Sequence, residues 1–246
     1  MNQPELERSM RSIRLTGMIE NLDRRNREAI AEKLSYVEFL ELLVQDELDR
    51  RRDMLIQRRI KQARFPSMKT LDDFDWSFNP KINQKQFRDL ATGGFVRKGE
   101  GGLLVGPPGT GKSSLCVAVG IACAKIGFKV RYSSAFDLAE ELAEAKALAI
   151  RKKRLSVFLD ADLLIIDDFG LKQLPINAGE DLLEVIHKRH ETKSTILTSN
   201  RPFEDWGKIL HNDNATATAI LDRLFHNSHV INFKGCRSYR MRKNLS

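Results

Sequence analysis

The sequence predicts an α/β fold in which helices surround a parallel five-stranded sheet, preceded by a small all-α domain. Three observations lead to this prediction. From residue 102 onward, short apolar runs alternate with amphipathic segments, which is typical of a parallel sheet wrapped by helices. A glycine-rich loop ending in Gly-Lys-Ser follows the first apolar run. The first 65 residues contain one proline and one glycine, and their apolar residues recur at helical spacing.

The strands and helices of the α/β region can be placed along the chain. The predicted strands are residues 103–105, 129–132, 163–166, 195–197 and 230–233. The predicted helices are residues 113–126, 137–149, 180–190 and 216–225. Because a predicted helix separates every strand from the next, neighbouring strands are expected to run parallel.

The pattern divides the chain into residues 1–65 (helical), 66–101 (a connector) and 102–246 (the α/β domain). Apolar residues near Leu6 and Ile19 predict two short helices. Ser35-Tyr-Val-Glu38 has the capping-box pattern and should start a long amphipathic helix that ends before Pro66. In the connector, three alternating aromatic residues are expected to dock on the α/β domain: Phe74, Trp76 and Phe78.

The net charge of +8 is concentrated in two short segments. Residues 50–65 hold seven basic residues and one acid, and residues 223–246 hold six basic residues and none. Residues 66–222 hold 21 of each sign and are neutral. Clustering of this kind suits a polyanion such as nucleic acid, although it is also compatible with mere solubility.

Composition excludes several classes of protein. Hydrophobic residues make up 41% of the chain, which is enough for a core and excludes a disordered polypeptide. No apolar stretch approaches the ~20 residues of a membrane span, and the N-terminus lacks an apolar signal region, so we expect neither a membrane location nor export. Three scattered cysteines exclude a disulfide scaffold, and Cys116 and Cys123 are expected to be core residues.

The glycine-rich loop matches the phosphate-loop pattern GxxxxGK[ST] at every defined position, between a strand and a helix. Backbone N–H groups of such a loop surround phosphate oxygens, and the helix N-terminus adds positive potential. Lys112 should reach the terminal phosphates, and the Ser113 hydroxyl should ligate Mg²⁺. The predicted nucleotide-binding residues are Gly106, Pro107, Pro108, Gly109, Thr110, Gly111, Lys112, Ser113 and Ser114.

Two further strands should deliver polar groups to the same edge of the sheet. Asp167 and Asp168 follow the apolar run 163–166, so Asp167 is expected to hold the metal and Asp168 to polarise the attacking water. Asn200 follows the next strand and could position that water. It could also simply form the turn before Pro202, a common role for asparagine.

Several strings carry a family resemblance. The phosphate loop, Asp167-Asp168, Ser199-Asn200 and Asp222-Arg-Leu224 resemble an AAA+ ATPase. The strings Leu15-Thr-Gly-Met18, Phe39-Leu-Glu-Leu-Leu43, Ala63-Arg-Phe-Pro66, Lys69-Thr-Leu-Asp-Asp-Phe74 and Asp167-Asp-Phe-Gly170 resemble IstB, the ATPase that assists transposition of bacterial insertion sequences. IstB is similar to the helicase loader DnaC and, more distantly, to the initiator DnaA.

The resemblance implies a DNA-stimulated ATP hydrolase in the bacterial cytoplasm. Its implied cofactors are ATP and Mg²⁺, and its implied partners are duplex DNA, the cognate transposase and further copies of itself with ATP between subunits. Arg223 matches the arginine finger, although it could also be a surface arginine, and Arg189 is a weaker interface candidate. The DNA-contacting residues are expected to be Arg50, Arg51, Arg58, Arg59, Lys61, Arg64, Arg151, Lys152, Lys153 and Arg154, although 151–154 could form a solvated turn.

The sequence departs from the common AAA+ pattern in two places. Asp168 stands where many members have glutamate, and a shorter side chain predicts slow hydrolysis. Only 13 residues follow Phe233, so no C-terminal lid domain is expected, and Arg240 could replace the second sensor arginine.

Three rival functions remain open on sequence. A DnaC-like helicase loader would use the N-terminal helices to bind a helicase, and a transposase gene immediately upstream would argue against it. A small-molecule kinase would be active as a monomer. A structural filament protein would bind ATP without hydrolysing it.

Overall fold

The computed structural model describes residues 3–242, which form two compact units, one ending at Arg58 and the next beginning at Arg59. The last turns of the long helix, with buried Ile60 and Ala63, therefore belong to the second unit rather than to a helical domain ending at residue 65. Lys243, the last basic residue of the predicted basic tail, lies outside the described residues.

The first unit is formed by α1 (Gln3–Ser12), α2 (Thr16–Glu32) and the greater part of α3 (Tyr36–Ala63). The predicted capping box is present at the start of α3, where Ser35 N donates to Glu38 Oε2 at 2.7 Å and Glu38 N to Ser35 Oγ at 3.3 Å. The second helix is longer than the sequence suggests. Its polar second half is held by ion pairs, among them Arg25 to Asp46 of α3 at 2.8 Å.

Gly17 lies at a close contact between α2 and α3. A Cβ at this position would lie 2.8 Å from both the Asp46 carbonyl oxygen and Glu47 Cα. Glu47 is buried, and its carboxylate accepts hydrogen bonds from Gly17 N at 2.6 Å and from Arg51 Nε at 2.6 Å. Burial opposes ionisation, but these bonds outweigh it and lower the pKa of Glu47. The close contact of Gly17 with α3 and its hydrogen bond to the buried Glu47 carboxylate together explain the Thr-Gly-Met string at residues 16–18.

Gly17→Ala should therefore destabilise the first unit by about 1–3 kcal/mol, because backbone atoms of α3 must move to admit a methyl group. Denaturant unfolding followed by circular dichroism measures the change. Gly94→Ala is the matched control, since a Cβ there would meet only Thr92 Oγ1 at 3.6 Å. Equal unfolding midpoints for the two variants would contradict the explanation.

The second unit contains the predicted parallel sheet. Its strands are β1 (Gly101–Val105), β2 (Val130–Ser134), β3 (Leu163–Phe169), β4 (Ser194–Ser199) and β5 (Ser228–Asn232). They lie in the order β2-β3-β4-β1-β5, and every pair is parallel. The predicted fold class and strand number are thus confirmed.

Helices cover both faces of the sheet. The helices of the α/β region are α6 (Lys112–Ile126), α7 (Ala135–Ala147), α8 (Arg151–Leu159), α9 (Ala178–Arg189), α10 (Trp206–Ile209), α11 (Asn214–His226) and α12 (Tyr239–Arg242), and α6, α7, α9 and α11 contact the sheet. Leu164 and Ile166 of β3 join the core cluster beneath α7, α9 and α11. Ile165, which alternates with them, contacts α6 at Gly120 on the other face. Among residues 3–242, no helix combines the length and apolar character that a membrane span requires.

The connector contains two helices that the sequence analysis missed, α4 (Gln84–Ala91) and α5 (Gly94–Arg97). Asn83 caps α4 by accepting from Gln86 N at 3.2 Å, and buried Phe87 and Leu90 anchor the helix near α6. Both helices are short, so their periodicity is weak. The predicted docking on the α/β domain is confirmed for Phe74 and Phe78, whose rings lie 5.2 and 4.6 Å from that of Tyr239, whereas the ring of Trp76 lies 6.1 Å from that of Phe87 within the connector.

Candidate nucleotide-binding site

The phosphate loop connects the last residue of β1, Val105, to the first residue of α6, Lys112. Gly111 has a φ of +100° and starts the helix, and a Cβ there would come within 2.8 Å of the Phe74 ring. A side chain at this position would therefore be strained and would displace the connector. The arrangement places the backbone N–H groups of the loop and of the first turn of α6 at the carboxyl edge of the sheet.

A cleft of about 320 Å³ lies against the loop. The connector forms one wall of the cleft, and α12 forms another. Its lining includes Lys69, Thr70, Asp73, Phe74, Asp75, Gly111, Lys112, Ser113, Ser114, Asp168, Asn200, Tyr239 and Arg240. Tyr239 N donates to the Gly109 carbonyl oxygen at 2.8 Å, which holds the chain after β5 against the loop. Residues far apart in sequence thus form one pocket beside the phosphate loop.

Lys112 is nearly buried at the base of this cleft. Its Nζ donates to the carbonyl oxygens of Gly106 at 2.7 Å and Pro107 at 2.8 Å. Burial lowers the pKa of Lys112, and the carboxylates of Asp167 and Asp168 counter that effect. A partly desolvated ammonium held by carbonyl oxygens at the loop is well placed to exchange them for phosphate oxygens.

Asp167 is 1% exposed and is held from three sides. Its Oδ1 accepts from Ser113 Oγ at 2.9 Å and from the Thr198 hydroxyl, and its Oδ2 accepts from Tyr132 OH at 2.7 Å. Ser113 and Asp167 are the two predicted metal ligands, and the fold brings their oxygens into contact. A hydroxyl beside a carboxylate is the oxygen donor set that Mg²⁺ prefers, so these residues fit that ion.

Asp168 occupies a bulge at the end of β3 and has a φ of +57°. The bulge sends Asp167 into the interior and Asp168 into the cleft. Burial raises the pKa of Asp168, and the neighbouring charge of Asp167 adds to the effect. A carboxylate with a raised pKa is a stronger base than an ordinary aspartate.

Asn200 also lines the cleft, and its Oδ1 is buried without a hydrogen-bond partner among residues 3–242. The turn that follows β4 uses Ser199 instead, whose Oγ accepts from Arg201 N at 3.1 Å. The turn-forming alternative for Asn200 therefore has no support in these contacts. An unpartnered amide oxygen in the cleft is available to a bound ligand or water.

Sequence reasoning missed the connector residues and Tyr239 that line the cleft, and it missed two residues that hold the acidic pair, Thr198 and Tyr132. The Thr198 hydroxyl donates to Asp167 Oδ1 and accepts from Asp168 N at 3.0 Å, so it holds both acidic residues. Tyr132 on β2 holds the other oxygen of Asp167, and burial raises the pKa of its hydroxyl. The available signal was a hydroxyl-bearing residue on each of the two strands that flank β3, which are β2 and β4.

Arg223 lies at the opposite edge of the sheet from the phosphate loop. Its Nε lies 3.2 Å from His187 Nδ1, and it lines a groove with Gly101 and Ser228, where β1 and β5 begin. The length of β1, roughly 13 Å, separates this groove from the start of the loop.

The interpretation of Arg189 as an interface residue is wrong. Arg189 is 1% exposed, and its guanidinium donates to the carbonyl oxygens of Phe158 and Ala161 at 2.7 Å and to Thr195 Oγ1 at 3.1 Å. Burial lowers its pKa to about 10. The residue therefore ties α8 and α9 to β4 from inside the domain.

The predicted DNA-contacting residues fall into two groups. Five of them pair with acidic side chains: Arg50 with Glu20, Arg51 with Glu47, Arg64 and Arg154 with Glu141, and Arg151 with Asp181 and Glu184. Within the described part of the chain, the other five make no ion pair: Arg58, Arg59, Lys61, Lys152 and Lys153. Residues 151–154 form the first turn of α8 rather than a solvated turn.

The family profile of the IstB-like ATP-binding proteins matches residues 8–246 of this sequence. The chain belongs to the IstB-like ATP-binding protein family. An ATP-binding protein of insertion sequence IS5376 from Geobacillus stearothermophilus is 38% identical over 215 residues, which cover 87% of this chain and 85% of that protein. One of insertion sequence IS21 from Pseudomonas aeruginosa is 37% identical over 241 residues, covering 97% and 89%.

The fold of this IstB-like chain is similar to that of solved replication proteins. The DnaC helicase loader has a TM-score of 0.53 at 22% identity, covering 71% of this chain and 98% of that one. AMPPCP-bound DnaA from Aquifex aeolicus has a TM-score of 0.57 at 19% identity, covering 69% and 51%. These likenesses assign the AAA+ fold, and the family match identifies an ATP-binding protein of the insertion-sequence type.

Proposed function

We propose that this protein is a DNA-binding ATPase that assists the transposition of an insertion sequence. It would bind ATP with Mg²⁺, assemble on duplex DNA and engage the transposase of the same element. The observation that carries the ATPase proposal is the contact of Ser113 and Asp167, at 2.9 Å, beside Lys112, Asp168 and Asn200 in one cleft. Family membership supports the connection to transposition.

The residues of the cleft divide the work of hydrolysis. Ser113 and Asp167 would hold Mg²⁺, which when bound neutralises charge on the phosphates. Lys112 binds the terminal phosphates. Asp168, with its raised pKa, accepts hydrogen bonds from the attacking water, and the free Oδ1 of Asn200 orients that water. Because aspartate reaches less far than glutamate, turnover is expected to be slow.

Arg223 of a second subunit supplies a further positive charge to the ATP site. Its groove lies at the opposite sheet edge from its own phosphate loop, so it can act only on ATP held by a neighbour. A guanidinium there offsets the charge that develops on the transferred phosphoryl group. Arg240, which lines the cleft of its own chain, stands in for the second sensor arginine.

Thr198→Val should raise the Mg²⁺ concentration needed for ATP hydrolysis by about tenfold, the equivalent of one lost hydrogen bond to a charged group. The substitution keeps the shape but removes the bond to Asp167 and the acceptor for Asp168 N. Activity titrated with Mg²⁺ measures the shift. Thr218→Val, on the exposed side of α11, is the control. Identical Mg²⁺ dependence of the two variants would refute a role for Thr198 in holding the metal ligand.

The best candidates for contact with DNA phosphates are the five predicted DNA-contacting residues that make no ion pair within residues 3–242. Arg58, Arg59 and Lys61 follow one another at the end of α3, and Lys152 and Lys153 begin α8. No aromatic residue interleaves the arginines of residues 50–64, so base stacking is not expected there. Contacts of arginine and lysine to phosphates position a protein without reading the base sequence. Binding should therefore be insensitive to sequence and strongly dependent on salt.

Replacing Arg58, Arg59 and Lys61 together by alanine should weaken binding to unrelated duplexes equally. Each lost phosphate contact should reduce the slope of log affinity against log salt by about 0.9. Fluorescence anisotropy at several salt concentrations measures both effects. A triple alanine variant of Arg8, Lys85 and Arg88, which are exposed and carry the same charge, is the control. If the variant of Arg58, Arg59 and Lys61 keeps the affinity and salt slope of the wild type, the DNA-binding surface lies elsewhere on the protein.

Engagement of the transposase distinguishes this function from helicase loading. Co-expression with the transposase gene that is expected immediately upstream should yield a complex that is stable to size-exclusion chromatography. Stable association with the replicative helicase, and none with the transposase, would favour the loader.

A further inference from the structure

Among residues 3–242, one group of three histidine, cysteine or carboxylate side chains could share a metal ion: His190, Glu191 and His226. One nitrogen of each imidazole and one oxygen of the carboxylate all lie within 4.8 Å of one another. We call these three residues the His-Glu-His cluster. His190 and Glu191 line the groove that also contains Arg223, so the cluster is separate from the nucleotide cleft.

The His-Glu-His cluster is formed where two packed helices end. Helices α9 and α11 contact each other in the second unit. His190 and Glu191 directly follow the last residue of α9, and His226 is the last residue of α11. The carbonyl oxygens in the last turn of a helix carry partial negative charge, which favours a cation nearby. Two helix C-termini therefore favour positive charge at the cluster.

The distances within the cluster are close to those of a metal site. Glu191 Oε1 lies 3.7 Å from His226 Nδ1, and the ring centroids of His190 and His226 are 5.3 Å apart. A tetrahedral zinc ion with bonds of about 2.0–2.1 Å separates its ligand atoms by roughly 3.3 Å. The side chains of Glu191 and His226 are 62% and 64% exposed, so their rotation can close the remaining distance.

The His190 ring is not committed to a structural hydrogen bond through Nε2. This nitrogen is buried and has no hydrogen-bond partner within the described range 3–242. Most buried polar atoms of side chains do have a partner. A neutral imidazole keeps one nitrogen without a proton, and that nitrogen can bind a metal ion. His190 is therefore available as a ligand.

The basic residues near the cluster are engaged by other groups. The guanidinium of Arg189 donates to carbonyl oxygens inside the domain. Lys193 pairs with Asp162 at 2.6 Å. Arg223 Nη1 donates to the Ala219 carbonyl oxygen at 2.7 Å. These contacts offset part of the repulsion that the three cations would exert on a metal ion.

We propose that the His-Glu-His cluster binds one Zn²⁺ ion per chain, with water in the fourth position. Imidazole nitrogen suits zinc and the neighbouring transition metals, whereas Mg²⁺ prefers oxygen ligands. Two histidines and one glutamate are a ligand set that zinc uses in other proteins. The ion ties the C-terminal ends of α9 and α11 together. It also holds the helical turn that carries Arg223, three residues before His226.

The first test is calorimetric titration of the full chain, without a histidine tag, with ZnCl₂. A Cys236→Ser background removes the partly exposed thiol, and excess Mg²⁺ occupies the oxygen ligands of the nucleotide cleft. The reference chain should bind one Zn²⁺. His226→Ala and Glu191→Ala, which change exposed side chains, should each bind it at least about tenfold more weakly, since even residues that only support a metal ligand cost that much when removed.

His229→Ala is the matched control for the titration. His229, like His226, is a partly exposed histidine near one glutamate, with Nε2 3.1 Å from Glu100 Oε2. This variant should bind Zn²⁺ as the reference chain does. The proposal is overturned if the reference chain binds no Zn²⁺, or if His226→Ala and Glu191→Ala bind it as tightly as His229→Ala.

The second test measures the geometry and the effect of the bound ion. Co²⁺ in place of Zn²⁺ should give the strong visible absorption of a four-coordinate ion in the reference chain and in His229→Ala, and not in His226→Ala. Saturating Zn²⁺ should raise the midpoint of thermal unfolding in the same two proteins, because the ion binds the folded state. Weak absorption typical of six-coordinate Co²⁺, with no change in the unfolding midpoint, would contradict a built site.

Discussion

Lys112→Ala should weaken ATP binding by about 10²–10⁴-fold, the equivalent of two charge-assisted hydrogen bonds. Lys112 is 7% exposed and is held at the phosphate loop by two carbonyl oxygens, so its charge already points to where the terminal phosphates would lie. Among residues 3–242, the other lysine that lines the cleft is Lys69 of the connector, which lies apart from the loop in sequence. Titration with a fluorescent ATP analogue measures the loss.

Asp168→Asn is the informative comparison for this variant. The amide keeps the size of the side chain, and Asp167 remains to hold Mg²⁺, so ATP should bind with nearly normal affinity. Hydrolysis should be slow because the amide is not a base. The assignment of the two residues fails if Lys112→Ala binds ATP within a few-fold of wild type, or if Asp168→Asn hydrolyses ATP at the normal rate.

Arg223→Ala should leave ATP binding nearly unchanged and reduce hydrolysis by about 10³-fold or more, the range known for arginine fingers. The residue lies away from its own cleft, so its removal cannot disturb the phosphate loop of the same chain. Steady-state phosphate release at saturating ATP measures the effect.

The decisive experiment for Arg223 is complementation. Arg223→Ala protein keeps an intact cleft, and Lys112→Ala protein keeps Arg223. A mixture of the two should therefore recover ATP hydrolysis at interfaces where the intact cleft of one subunit meets Arg223 of the other. A chain carrying both substitutions should rescue neither variant and is the control. If no ratio restores activity while assembly on DNA is intact, Arg223 does not act between subunits.

Features that depend on residues close together in the chain could be predicted from the local sequence pattern. The capping box at Ser35 and Glu38 is a contact within one helical turn, and the sequence predicts it correctly. The three central strands were recognisable because buried parallel strands contain continuous apolar runs, whereas the edge strands β2 and β5 have polar residues among their apolar ones. Short α4 was missed because eight residues give too little periodicity, and its burial depends on α6.

The charged residues show where local pattern fails. Arg189 and Arg151 are in basic or amphipathic segments that resemble solvent-exposed surface. Folding buries the first beneath the carbonyl oxygens of α8 and pairs the second with Asp181 and Glu184 of α9. The partners of Arg151 and the α8 carbonyl oxygen that Arg189 contacts lie about 30 residues away along the chain, so no nearby sequence signal marks these contacts.

The phosphate loop, the apolar strands and the acidic pair can be predicted from sequence, because each depends on residues adjacent in the chain. The different positions of Asp167 and Asp168 cannot, because they depend on the folded sheet. The bulge at Asp168 turns one carboxylate into the cleft, while Thr198 and Tyr132, from two other strands, hold Asp167 inside. Parallel strands bring their carboxyl ends together from distant parts of the chain, so the surroundings of Asp167 arise only when the sheet forms.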